Sequence, residues 1–214
     1  MRTRWLVLTA VLASGARAEI IDRLAVSLDN LVITESEVRR EIRLTAFLNG
    51  EDLDFSPAAR RKAADRLVEQ KLIRREIEQG RYVQPDPSEA GPILNEVRAQ
   101  RFRTAQEYLD ALAKYGISEP ELKAYLLWQA TLVRFIDIRF RAGVQVSSDE
   151  IQERIASARP SPKGSVAPAP ADADALRNSV EQTLIAERID KEMDQWLQEA
   201  KKRTRIVYRP EAFQ

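Results

Sequence analysis

Apolar and polar positions alternate with a period of two in two places along this chain. In Leu24-Ala-Val-Ser-Leu28 the residues Leu24, Val26 and Leu28 share one face, and Asp29-Asn30 supplies a two-residue turn into Leu31-Val-Ile33, so residues 24–33 predict a β-hairpin. The second place is Arg205-Ile-Val-Tyr-Arg209, a short strand stopped by Pro210. A lone strand leaves its backbone donors and acceptors without partners, so this last strand is expected to join the hairpin in one small antiparallel sheet.

Between these strands the apolar period is three to four, and the helix starts are marked by caps. Thr34-Glu-Ser-Glu37, Asp86-Pro-Ser-Glu89, Thr104-Ala-Gln-Glu107, Ser118-Glu-Pro-Glu121 and Ser147-Ser-Asp-Glu150 read as capping boxes, and Ser56-Pro57 as a cap before a first-turn proline. Stop signals stand at Asn49-Gly50, Gly80, Gly116 and Gly143. These marks predict helices over 35–48, 57–79, 87–101, 105–114, 119–141 and 148–157, whose unequal lengths exclude a solenoid. Leu176, Val180, Leu184, Ile185, Ile189, Met193, Trp196 and Ala200 then trace a long amphipathic helix that ends in Lys201-Lys-Arg203, where cations suit the C-terminal dipole. The fold class is mainly α, a multi-helix core with a small antiparallel sheet joining the two ends.

Four domains follow from this pattern. Residues 1–18 read as a signal peptide: two early arginines, an apolar run from Trp5 to Ala13 and the cleavage site Ala16-Arg-Ala18. Residues 19–158 form the helical core with its hairpin, 159–174 a linker rich in Pro and Ala, and 175–214 the returning helix and strand. The linker permits return within one chain or exchange of the C-terminal helix between two copies, a homodimer. The chain is expected to be exported to the periplasm and soluble there, without direct membrane insertion, because no later segment holds eighteen uncharged apolar residues.

Composition narrows the chemistry. Cleavage after Ala18 removes three arginines and leaves thirty-one cations against thirty-three acids, a balance that disfavours nucleic acid as a partner. With no cysteine the exported chain is held by packing alone. With no histidine either, it lacks a Ser-His-Asp triad, a thiolate nucleophile, an ordinary zinc site and any side chain that titrates unperturbed near neutrality. Gly is scarce and no phosphate-binding loop occurs, so no nucleotide or other cofactor is expected.

The stretches Ile21-Asp-Arg-Leu-Ala-Val-Ser-Leu-Asp-Asn-Leu-Val-Ile-Thr-Glu-Ser-Glu-Val38, Arg66-Leu-Val-Glu-Gln-Lys-Leu-Ile73 and Tyr115-Gly-Ile-Ser-Glu-Pro-Glu-Leu122, in this order and behind a signal peptide, resemble the SurA/PpiC-type group of exported chaperones and prolyl isomerases. The likeness covers about residues 20–157 and, more weakly, 175–209. In that group one or two parvulin-type isomerase domains stand between the helical domain and the returning helix. Here the linker alone holds that place, and the histidines of parvulin pockets are missing. The resemblance therefore implies a non-enzymatic chaperone core for unfolded or partly folded exported polypeptides, outer-membrane proteins among them, and carries over no isomerase residue.

Such a core needs a groove with more apolar surface than folding consumes. On the helix after Ser118, Leu122, Tyr125, Leu126, Val133, Ile136 and Phe140 form one stripe, and Trp128, Leu132 and Phe135 a second. The candidate client-binding residues are Tyr125, Trp128, Leu132 and Phe135 on this helix, with Phe47, Phe55, Phe102 and Tyr108 near helix ends. A central helix packed on two sides explains the same pattern. The acidic loop Glu51-Asp-Leu-Asp54 lacks the features of a calcium loop, and Arg60-Arg-Lys62 and Lys201-Lys-Arg203 read as solvated helix faces. A second functional class fits as well: a dedicated interaction or scaffold module without general chaperone activity.

Overall fold

A computed structural model describes residues 22–158 and 170–214. The expected signal peptide, and most of the expected linker, lie outside the described residues.

Strand β1 (Leu24–Leu28) turns through Asp29 and Asn30 into β2 (Leu31–Thr34), with Leu28 opposite Leu31 and Val26 opposite Ile33. Asp29 occupies the left-handed region at φ 49°, a conformation that Asp, with its short polar side chain, tolerates better than most residues. At the other end of the chain β3 (Ile206–Tyr208) lies antiparallel to β1, with Val26 opposite Tyr208 and Leu28 opposite Ile206. The sheet order is β2-β1-β3, so the hairpin's first strand is central and the two chain ends are joined as the strand patterns require. Ala25 is as fully buried as Val26 and Leu28, because the closing 3-10 turn Pro210–Phe213 also packs on β1.

Seven helices are described: α1 (Glu35–Asn49), α2 (Pro57–Gly80), α3 (Ala90–Arg101), α4 (Ala105–Tyr115), α5 (Glu119–Arg139), α6 (Ser148–Ala158) and α7 (Pro170–Arg203). The capping boxes at Thr34, Asp86 and Ser118 are all formed. Thr104 caps α4, but the Glu107 carboxylate accepts from the Arg103 N–H instead of completing the box. Four boundaries differ from the sequence pattern. The box at Asp86 opens a single 3-10 turn before α3; α5 ends at Arg139 and is followed by another such turn; α7 starts at Pro170, inside the expected linker; and α2 is stopped by Arg81 in the left-handed region, one residue beyond Gly80.

The buried side chains form three clusters. The first joins the sheet to α1 and α2 through Val38, Ile42, Ala63, Ala64, Val68 and Leu72. The second packs the C-terminal half of α1 against α3, α4 and the start of α5 around Phe47, Leu94, Tyr108, Leu112 and Leu122. The third joins the C-terminal halves of α2 and α5 to α7 through Ile73, Ile77, Phe135, Phe140, Ile189 and Leu197. Helices α1, α2 and α5 each contribute to two clusters, so the junction of all three clusters is walled by these helices.

The C-terminal segment is held by more than the sheet. Arg60 donates from Nη2 to the Gln214 carbonyl at 2.7 Å, the Arg61 guanidinium lies 3.5 Å from the Tyr208 ring centre, and Lys201 pairs with Glu69 at 2.7 Å. Within the basic runs at 60–62 and 201–203, Arg60, Arg61 and Lys201 thus help clamp the returning chain, while Arg61, Lys62, Lys202 and Arg203 are solvent-exposed as their reading as solvated faces expects.

Candidate functional site

Two adjoining depressions open where α1, α2 and α5 meet, with volumes of about 330 and 230 Å3. They share Arg74 from α2 and Ala124 and Trp128 from α5. Leu44 and Tyr125 add apolar surface to the larger one, and Leu127 and Ile77 to the smaller.

Charged groups line the larger depression as well, and most are committed. Glu37 sits at the first turn of α1, where its carboxylate completes the Thr34 cap and pairs with Lys71 of α2 at 3.1 Å. Glu41, one turn on, is only 4 % exposed, and its Oε1 accepts from Arg66 Nε at 3.2 Å, Gln70 Nε2 at 3.3 Å and Thr45 Oγ1 at 3.4 Å. Those donors are what makes a buried carboxylate tolerable there. Glu121 closes the Ser118 cap of α5 and binds Arg40 Nε across the groove at 3.0 Å. Hydrogen bonds from the Ser118 side chain and backbone, then Arg40, hold the Glu121 carboxyl below the usual carboxylate range.

Arg74 stands apart from this pairing. Its guanidinium lies 3.7 Å from the Trp128 ring centre, a cation–π stack between α2 and α5. Among the described residues it forms no ion pair; burial lowers its proton affinity, and Glu78 on the same helix acts on it in the opposite sense. Trp128 is 5 % exposed, and its indole N–H is the one buried side-chain polar atom without a hydrogen-bond partner among the described residues. A buried donor left unpaired costs roughly 1–3 kcal/mol.

The eight candidate residues separate into distinct settings. Tyr125 and Trp128 line the groove, and burial raises the Tyr125 phenol pKa, with the Glu41 charge adding to it. Phe47, Tyr108 and Phe135 are core side chains, not groove walls. Phe47 meets Tyr115 edge-on at 5.6 Å and stacks on Phe102 at 5.9 Å, while Tyr108 packs against Phe102 at 5.6 Å. Phe135 is ringed by Tyr82, Phe140 and Trp196 at 5.1–5.9 Å. Leu132 is half-buried against the same cluster. Phe55 is 37 % exposed in the loop before α2, away from the groove, with Arg43 5.9 Å from its ring centre.

The expected apolar groove is corrected in its chemistry. Two stripes on α5 do not both face an open hollow: the helix is central, most of its large rings are consumed by two clusters, and Val133 from the first stripe is 58 % exposed on the surface. The opening that remains is lined by helix-cap carboxylates and their cations as much as by apolar surface. Arg74, Gln70 and Glu41 were missed as site residues, since mid-helix polar positions look like solvated face until the packing is known. The two glutamates at i and i+4 after the Thr34 cap, Glu37 and Glu41, are the trace they leave in the sequence.

Among the described residues no group of three or more acidic side chains is placed to hold a metal ion, and no described helix is long and apolar enough to cross a membrane. Fold and site together define a mainly α protein with a terminal three-stranded sheet and a charged, tryptophan-walled groove between three helices. No protein-family model matches this chain, and no curated protein matches it.

Proposed function

We propose that this chain is a non-enzymatic, chaperone-like protein of the periplasm that binds unfolded exported polypeptides, outer-membrane proteins among them, at the groove between α1, α2 and α5. The observation that carries the reading is the Arg74–Trp128 pair. A guanidinium without an ion pair among the described residues, stacked on a tryptophan of the groove wall, suits a site that takes up a polypeptide's carbonyl and carboxylate oxygens. The resemblance to the SurA/PpiC-type group supports the same conclusion through the order of elements, with the C-terminal strand returned to the N-terminal hairpin.

The test is aggregation of a urea-unfolded outer-membrane β-barrel protein diluted into buffer with and without this protein. Suppression at a near-stoichiometric ratio is expected, and a twofold molar excess that leaves light scattering unchanged overturns the reading. Recovery of the chain in the periplasmic fraction, with a mass that begins at Glu19, tests export.

The polarity of the groove favours a second reading, a dedicated interaction module for one partner. An exchanged-helix homodimer belongs to it, with α7 making the same contacts on another copy. Capture of a single stoichiometric partner, together with failure to suppress aggregation, selects this alternative.

A further inference from the structure

Of the charged groups that line the larger depression, one is without an ion pair among the described residues. The three carboxylates that line the larger depression are each held by a cation: Glu37 by Lys71, Glu41 by Arg66 and Glu121 by Arg40. Of the two cations lining it, Arg40 is spent on Glu121, and Arg74 has no ion pair among the described residues. A guanidinium lying flat on an indole uses its face for the stack, while its N–H groups point outward in the plane as a fork that matches two carboxylate oxygens. The Trp128 side chain that carries the stack is part of the wall shared by both depressions.

We propose that Arg74 and Trp128 form a carboxylate-binding notch, occupied by a peptide carboxylate from a chain end or from an Asp or Glu side chain. This deepens the polypeptide-binding function proposed above and rests on it for the peptide nature of the ligand. A neutral carbonyl accepts from the guanidinium but leaves its charge without a counter-ion. A carboxylate supplies that counter-charge, and the three acids of the larger depression are already held by Lys71, Arg66 and Arg40, while Glu78 of the smaller one stands one turn from Arg74 on the same helix. Both depressions are small, so they hold an end or one side chain of a peptide, with the rest of it along the α5 surface.

The experiment follows the indole N–H resonances of the full chain by 15N NMR, with Trp128 assigned through W128F. Three probes are titrated: acetyl-Ala-Phe-Ala with a free carboxylate, the same peptide as its amide, and acetyl-Ala-Asp-Ala-amide. One or both acidic peptides are expected to move the Trp128 resonance and leave Trp196 in place, and the uncharged amide to bind at least about tenfold more weakly. The free-acid peptide acting alone identifies the chain end as the source, and the Asp peptide acting alone the side chain. R74Q, a change at an exposed helix position, should weaken the acidic peptides by about tenfold or more, with R74K recovering part of it. Equal binding of amide and acid, an unaffected R74Q, or no shift with any probe at millimolar concentration overturns the notch. Equal binding of amide and acid overturns it while polypeptide binding stands. Acid-selective binding without suppression of client aggregation removes the chaperone function and leaves the notch.

Discussion

Asp29 and Arg205 bind each other twice through the backbone and its nearest side chain. The Asp29 N–H donates to the Arg205 carbonyl at 3.0 Å, and the Arg205 N–H donates to Asp29 Oδ1 at 2.9 Å. Asp29 Oδ2 also pairs with Arg75 of α2 at 3.2 Å. One turn residue thereby fastens the hairpin, the C-terminal strand and the longest core helix before α7. Asp29→Ala removes both carboxylate contacts and places a methyl side chain at φ 49°, so it should lower stability by about 2 kcal/mol. Asp29→Asn keeps an acceptor and the tolerated conformation, and should cost less than half as much. Urea unfolding followed by circular dichroism checks both.

The Glu41 cluster should behave as a buried pair does when one partner is deleted. Arg66→Ala leaves the carboxylate with Gln70 and Thr45 alone and should cost about 3 kcal/mol, whereas the double change Glu41→Leu with Arg66→Met should restore most of it. Comparable losses in the single and double variants would show that the charge is not what matters.

In the third cluster Phe135 is the hub and Trp196 its lid. Phe135 is almost fully buried among three rings, and Phe135→Ala should cost about 4 kcal/mol. Trp196 is half-buried on α7, and Trp196→Ala should cost less while selectively speeding hydrogen exchange in α7. Equal exchange in α7 and α2 after that substitution would mean that the returning helix is not a separately opening unit.

Stability should fall at both ends of the pH scale and be flat between. The Asp54, Asp86, Glu89, Glu121 and Glu150 carboxyls are all held low, chiefly by hydrogen bonds from Ser56, Ser88, the Asp86 backbone, Ser118 and Ser147 respectively. A folded pKa below the unfolded one gives stability that is present above the unfolded value and lost as pH falls through the folded one, so the acid limb begins below about pH 4. Tyr108 works in the other direction: burial, then the Glu119 charge, pushes its phenol up to about 12, and its contribution is present below about pH 10 and lost between there and about pH 12. Tyr208 is raised in the same sense by burial and by its bond to Asp65. Thermal unfolding across pH 2–12 tests the shape, and Tyr108→Phe should flatten the alkaline limb.

Much of this architecture is local and could be read along the chain. Capping residues act within one turn, so Thr34, Ser56, Asp86 and Ser118 start their elements where the pattern places them. The missing partner of the 205–209 strand is a hydrogen-bonding deficit, and a deficit points to its own remedy. The site was legible only in part: Tyr125 and Trp128 line the groove, whereas Phe47, Tyr108 and Phe135 look the same in sequence and are core. An aromatic ring on an amphipathic face announces burial without saying whether protein or ligand provides it.

The sequence alone determined the helices, their caps and the need for the two ends to meet, because backbone satisfaction and apolar periodicity are set by neighbours within a few residues. Tertiary structure decided which surfaces remain. The approach of α1, α2 and α5 paired Glu37, Glu41 and Glu121 with cations, laid Arg74 over Trp128 and left the indole N–H without a partner among the described residues. These outcomes depend on distances between residues dozens of positions apart, which no local pattern encodes.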